Sequence, residues 1–239
     1  MASPRVLDGA SREVLEGGAL TAVERVGRTL TLVFEPWALD VAIRGSGELY
    51  VGRPERHVPS SWRLALEWDA HALWLVDRTG ASRVRRRACE SPRLNGANAG
   101  LEPTSAVFSL EVFKQVLRKK RRTIFRLLVD GQQIAGLGET YADEILHASR
   151  IRPTRPAPTL DDGEIRAVYY ATVEVLQKAI RFGGVSDEQL PHVEGQPGRF
   201  GRMLSVHGRG GETCAACGGR VRRATLGDTR AFYCPRCQH

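Results

Sequence analysis

Two Cys-x-x-Cys pairs near the end of the chain, Cys214/Cys217 and Cys234/Cys237, constrain its fold more than any other feature. Each pair can turn two thiolates toward one point, and the sixteen residues between the pairs suffice for a short hairpin. That is the pattern of a closed four-thiolate zinc ribbon, with no open position for water. A ribbon this short has little room for a core, so the metal supplies folding energy. The competing reading is a pair of disulfides or two unrelated turns; the doubled spacing favours one structural Zn2+ that catalyses nothing. Cys89 has no paired partner and reads as a small hydrophobe.

The charge balance points to a polyanionic partner. The 239 residues carry a net charge of +8 and the sequence pI is near 9.7. Residues 201–239 hold arginines at 202, 209, 220, 222, 223, 230 and 236 against only Glu212 and Asp228. "RKKRR" at 118–122 and "RRR" at 85–87 add two clusters. One such run is usually a solvated face. Three, the basic ribbon among them, favour nucleic acid over an acidic membrane, because each neutralised phosphate releases counterions. No apolar run reaches the length of a membrane span, and "MASPRVLDGASREV" has no signal-like apolar core. The expectation is a cytoplasmic, soluble monomer, nucleoid-associated when bound to DNA.

Periodicity divides the chain into a strand-rich and a helical half. "TLTLVF" (29–34), "ELYV" (48–51), "WRLALEW" (62–68) and "ALWLV" (72–76) read as strands between Gly, Pro and Asp punctuation. "CESPRLNGANAGLEP" (89–103) reads as a linker. Helical spacing then takes over in 109–130, where the basic run interrupts the pattern, in 140–151 and in 161–184. The last segment has a Thr159-x-x-Asp162 capping signature, a Gly183-Gly184 stop, and an apolar stripe of Ile165, Val168, Tyr169, Thr172, Leu176 and Ile180 expected in the core. The class is α+β: an N-terminal β-sandwich (1–88), a linker (89–104), a helical domain (105–200) and a zinc β-ribbon (201–239).

"GLGETYADEIL" (136–146), followed by "ASRIRPTR" (148–155), resembles the helix–two-turn–helix element of the formamidopyrimidine-DNA glycosylase and endonuclease VIII family. "GQPGRFGRMLSVHGRGGETC" (195–214) and "FYCPRCQ" (232–238) are similar to the run into the family's zinc finger and to its closing knuckle. The resemblance is dense from about Pro103 onward and looser upstream. It implies a base-excision-repair protein that binds double-stranded DNA, damaged or abasic. Its DNA contacts would be Arg56, in the place of a family lysine, Lys119, Lys120, Arg121 and Arg122, Glu139 and Tyr141 of the helical motif, and Arg209 and Arg230.

The same resemblance implies a mechanism that this chain matches poorly. The family attacks the sugar C1′ with an N-terminal proline amine beside a glutamate; here the start reads Met1-Ala2-Ser3-Pro4-Arg5. After loss of Met1 the α-amine of Ala2 would be the available nucleophile, with a pKa near 8 but no adjoining carboxylate. A family asparagine is replaced by Glu139, and a family arginine by Thr229, with Arg230 one place on. The methionine that fills a vacated base stack is matched by Gly45, and the turn that carries an arginine and a phenylalanine reads "DRTGAS" (77–82). The leading expectation is a DNA-binding family member with base excision weak or lost. The alternatives are an active glycosylase or abasic-site lyase using Ala2, and an RNA- or ribosome-associated zinc protein.

Overall fold

The computed structural model describes residues 19–45, 47–53, 61–68, 70–91, 99–185 and 198–239, with the backbone of two short strands nearer the N-terminus. The chain forms two compact units: residues 1–97 with 183–199, and residues 98–182 with 200–239. Ala2 and Arg56 lie outside the described residues.

The first unit contains β1 (Arg5–Asp8), β2 (Val14–Leu15), β3 (Ala22–Val26), β4 (Thr29–Val33), β5 (Trp37–Ala42), β6 (Glu48–Gly52), β7 (Trp62–Trp68), β8 (His71–Val76) and β9 (Arg83–Ala88). Two antiparallel sheets result, in the orders β2-β1-β7-β8-β6 and β3-β4-β5-β9. Alternation decides what each strand buries. Leu64, Leu66 and Leu75 of one sheet meet Leu32, Leu39 and Val41 of the other, with Phe34, in one shared core. Ala65, Ala72, Trp74 and Val76 are also buried, on the other face of the same strands, where Tyr50 stacks on Trp74 at 5.2 Å.

The arginine run of β9 serves this sandwich rather than projecting as a free cluster. Asp40, fully buried in β5, accepts from Arg87 at 3.1 Å, from Arg85 at 3.4 Å and from Thr31 at 2.9 Å. Arg87 also donates to the carbonyls of Ala88, Cys89 and Ser91, and Arg86 lies 5.0 Å over the Trp37 ring. A buried carboxylate needs its cations held close, so Arg87 and Arg85 pair with Asp40, while Arg85 and Arg86 remain exposed at the surface.

The second unit contains α1 (Leu110–Lys119), α2 (Ile124–Leu128), α3 (Glu139–Ala148), α4 (Asp162–Arg181) and the hairpin β10 (Arg222–Leu226) and β11 (Thr229–Tyr233). The basic run does break 109–130 in two. Ser109 caps α1, the backbone turns extended at Lys120, and the Thr123 hydroxyl caps α2 by accepting from Arg126 N–H. Phe113, Leu117, Ile124, Phe125, Leu127 and Leu128 enter one core with Ile145, Leu146, Ile165 and Val168.

Two expectations for α4 are corrected. Its cap is Asp161, not Thr159: Asp161 accepts from Glu164 N–H at 2.8 Å, and the Glu164 carboxylate reaches back to Asp161 N–H at 2.9 Å. Glutamate spans that return where Asp162 is one methylene short. Thr159 closes a short 3-10 turn by donating to Pro156 O instead. Ile180 is not core; it is 68% exposed, because the inward stripe drifts one position and buries Ala179.

The ribbon, residues 200–239, packs with the helices rather than standing alone, and Ala231 and Leu226 reach the helical core. The turn after α3 receives its end: His239 N–H donates to Arg150 O, and Arg152 N–H to His239 O. Arg150 has φ +63, a left-handed conformation that costs an L side chain about 1–2 kcal/mol. Glycine would relieve that strain while adding about 0.4–1 kcal/mol of unfolded-state entropy. Arg150→Gly should therefore stabilise the protein by about 0.5–1 kcal/mol, read as a raised denaturant midpoint at unchanged slope. A lowered midpoint would mean that the Arg150 side chain contributes contacts that outweigh the strain.

Candidate metal centre and nucleic-acid interface

The sulfurs of Cys214, Cys217, Cys234 and Cys237 all lie within 4.8 Å of one another. Cys214 and Cys237 approach to 3.8 Å, and Cys217 and Cys234 to 3.4 Å. A tetrahedral ion with metal–sulfur bonds of about 2.3 Å needs sulfurs about 3.8 Å apart, so the four thiolates fit one ion. Gly219 N–H donates to Cys217 at 3.4 Å and holds that thiol down at about 7, while burial pushes Cys234 and Cys237 up. A bound cation would replace those protons and hold all four as thiolates.

One face of α3 grips the segment that leads into this cluster. The buried Glu144 carboxylate accepts three consecutive backbone N–H groups: Ser205 at 2.8 Å, and Val206 and His207 at 2.9 Å. Its neighbour Asp143, also buried, accepts from Phe232 N–H of β11 at 3.0 Å and meets His207 Nδ1 at 2.7 Å. Burial raises the Asp143 carboxyl to about 6, with the His207 and Phe232 hydrogen bonds opposing. At the far end Gln238 accepts from Cys234 N–H and donates to Ile151 O.

The expected DNA contacts are unequally available. Lys119, Lys120, Arg121 and Arg230 are exposed and make no side-chain ion pair or hydrogen bond among the described residues. Arg122 is paired with Asp130 at 2.9 Å. Arg209 bonds Glu212 and the carbonyls of Leu204, Ser205 and Thr213, so it braces the loop. Tyr141 is half-buried with its ring 6.0 Å from Phe200. Glu139 is the first residue of α3, exposed beside the helix dipole's positive end. Arg150, and Arg222 of the basic C-terminal set, are equally exposed and free among the described residues, and neither is among the expected DNA contacts. Only their departure from neighbouring pairing partners could have flagged them.

Comparison with known proteins places this geometry. Residues 99–189 match the formamidopyrimidine-DNA glycosylase H2TH domain. The formamidopyrimidine-DNA glycosylase of Corynebacterium jeikeium is 31% identical over 260 residues, covering 98% of this chain and 89% of that one. The crystal structure of MutM (Fpg) from Thermus thermophilus superposes with a TM-score of 0.83 at 28% identity, over 100% of this chain and 92% of that one. A Lactococcus lactis Fpg solved with DNA containing an abasic site gives 0.79 at 25% identity, over 93% and 83%. The chain belongs to the formamidopyrimidine-DNA glycosylase family.

Two loops of the first unit, at residues 44–45 and 77–82, touch. Asp77 organises residues 77–82: one carboxylate oxygen accepts from Thr79 N–H, Thr79 Oγ1–H and Gly80 N–H, the other from Ser82 N–H at 2.7 Å. Ser82 Oγ exchanges hydrogen bonds with the Arg44 backbone. Gly45, with φ +53, sits so close that a Cβ there would lie 2.5 Å from Thr79 Oγ1 and 3.1 Å from the Ala81 methyl. Residues 77–82 hold no aromatic ring, although Arg78 is exposed there, and the packing of Thr79 and Ala81 crowds any side chain at Gly45.

The Asp143 clamp has a pH signature. Its carboxyl, at about 6 in the fold, lies above the ordinary 3.8. Between those values the fold binds the proton more readily than the unfolded chain, so this group's contribution to stability grows as pH falls through that window. Asp143→Asn has no proton to take up. Wild type should therefore gain stability relative to Asp143→Asn between about pH 6 and about pH 4, measured by urea unfolding of both proteins. Parallel pH profiles would place the titration elsewhere.

Proposed function

We propose that this protein binds duplex DNA at damaged or abasic sites, through a helix–ribbon unit stapled by one zinc ion, with base excision weak or absent. The Gly45–Thr79 contact carries the second half of that reading. Extracting a base costs a few kcal/mol of lost stacking, and a side chain inserted into the gap normally offsets it. Neither loop offers a methionine or an aromatic ring for that gap. Support for the first half comes from the free cations of the helix–ribbon unit and from the relative solved with abasic-site DNA. Four thiolates in a tetrahedral set select zinc over the hard cations that oxygen ligands hold. No helix among the described residues is long and apolar enough to cross a membrane. The reading has the protein working as a monomer on nucleoid DNA, with the sandwich, helical and ribbon segments of the sequence as its parts.

Affinity for duplex DNA should fall log-linearly with salt, measured by fluorescence anisotropy on intact and abasic duplexes. Arg230→Ala should weaken binding to all sequences alike and lower the salt slope by roughly one. Glu139→Gln should strengthen binding, because it removes a carboxylate from a helix N-terminus that otherwise attracts phosphate. A salt-independent affinity, or no duplex binding at low salt, would sink the grip.

The chemistry is tested separately. Abasic sites need no base removal, so residual activity should appear there and should require the α-amine of Ala2. Borohydride reduces the imine that an amine forms with the open-chain sugar aldehyde. It should trap a covalent adduct on abasic duplex, and acetylating the α-amine should abolish it. Gly45→Met alone should not create release of 8-oxoguanine, because the site excludes a side chain. Release by the wild-type protein at a repair enzyme's pace, about 1 s⁻¹ or faster, would overturn the reading of the two loops.

A further inference from the structure

Metal-bound thiolates keep considerable negative charge. Four of them around one divalent ion leave a net charge of −2, which needs hydrogen-bond donors when it is partly buried. The knuckles supply donors to two of the four sulfurs from their own backbone. Gly219 N–H serves Cys217, and the N–H groups of Arg236 and Cys237 point at Cys234. Cys214 and Cys237 have no such backbone donor among the described residues, and Cys214 is reached from outside the ribbon. Its sulfur is 3.6 Å from Nε2 of His147, which belongs to α3 and not to the ribbon.

His147 follows Asp143 by four residues and Glu144 by three, the spacings that place side chains on one helix face. That face holds the Phe232 and His207 backbone through the two carboxylates and then reaches the metal cluster through the imidazole. The ring is half-buried, and Cys214 is fully buried. A metal-bound thiolate carries no proton, so the contact is attractive only with Nε2–H as donor.

We propose that His147 is an outer-sphere residue of the metal centre, donating Nε2–H to the Cys214 thiolate and fastening the ion to α3. It is a positioning residue: it touches neither substrate nor reacting atoms. Removing such a donor lowers metal retention about 10–100-fold in comparable sites. The inference rests on the four-cysteine metal reading, and its test separates the two.

Full-length wild type, His147→Ala, His147→Phe and His147→Gln are loaded with zinc, and transfer to a colorimetric chelator is timed. Phenylalanine keeps the ring volume without a donor; glutamine keeps an N–H near the same reach. Zinc should leave His147→Phe about 10–100-fold faster than wild type, with His147→Gln restoring much of the retention. Loading with cobalt(II) gives a second readout. The sulfur-to-cobalt charge-transfer band should shift in His147→Phe and return toward the wild-type position in His147→Gln, which packing alone would not produce. Equal zinc release and an unshifted cobalt band in a folded His147→Phe protein would overturn the proposal and leave the metal site standing. Absence of stoichiometric metal in wild type would overturn the metal reading itself, and this proposal with it. His147→Ala serves as the control for volume, since a loss in His147→Ala that His147→Phe repairs also counts against the hydrogen bond.

Discussion

Two adjacent carboxylates, Asp143 and Glu144, hold the second unit together. The ribbon has almost no core of its own: Val206 and Val221 with Cys214 and Cys234 make up its buried cluster. Burying two aliphatic side chains contributes about 3–6 kcal/mol, while ordering even ten residues of backbone costs about 10–20 kcal/mol. The clamp, with an ion held by the four thiolates as proposed, would cover the rest. Hydrogen bonds to a charged group are each worth about 1.5–3 kcal/mol, and Glu144 accepts three from successive amides. Glu144 is satisfied only when 205–207 are in place, and those amides are satisfied only when α3 is folded. The coupling runs both ways.

The hairpin and the C-terminal residues extend the same logic. Phe232 N–H on Asp143 fixes β11, whose Ala231 enters the helical core. Gln238 is fully buried with both ends of its amide engaged, one on Cys234 and one on Ile151. Arg152 adds bonds to the carbonyls of Pro235 and Gln238. Arg230 can thus project from a rigid strand without needing a partner of its own, since the chain on both sides of it is fixed by other residues.

The cysteine ligands, the interruption in 109–130 and the order of strands before helices were legible because each is written in local spacing. Thiolate pairs, caps and alternation act over two to four residues. What was not legible depended on distant partners. Arg85–Arg87 reads as a free basic cluster until Asp40, forty-five residues before Arg85, is seen beneath it. That Arg209 also bonds Glu212 and the carbonyls around it needs the fold. Gly45 reads as a simple loss of a side chain; that Thr79 now fills the space needs the fold. The competing caps at Thr159 and Asp161 both satisfy the local pattern, and side-chain reach decided between them.

The balance of charge at α3 shows why binding and chemistry can diverge here. A helix N-terminus carries about half a positive charge and attracts anions. Glu139 supplies that anion from within the chain and stabilises the helix by about 0.3–1 kcal/mol. A phosphate brought within about 4 Å of it would meet a repulsion of about 1 kcal/mol in water, rising to about 4 kcal/mol near a protein surface. The free cations at 119–121, Arg150, Arg222 and Arg230 are more numerous than this one charge, so net attraction to a polyanion survives. On the proposed reading, the repulsion from Glu139 weakens the local fixing of backbone at the α3 end. Turning a nucleotide out of the stack needs the backbone held on both sides of the site, whereas binding along a duplex needs only the summed attraction. On that reading Glu139 in the helical unit and Gly45 in the sandwich bear independently on extraction, and more on extraction than on grip.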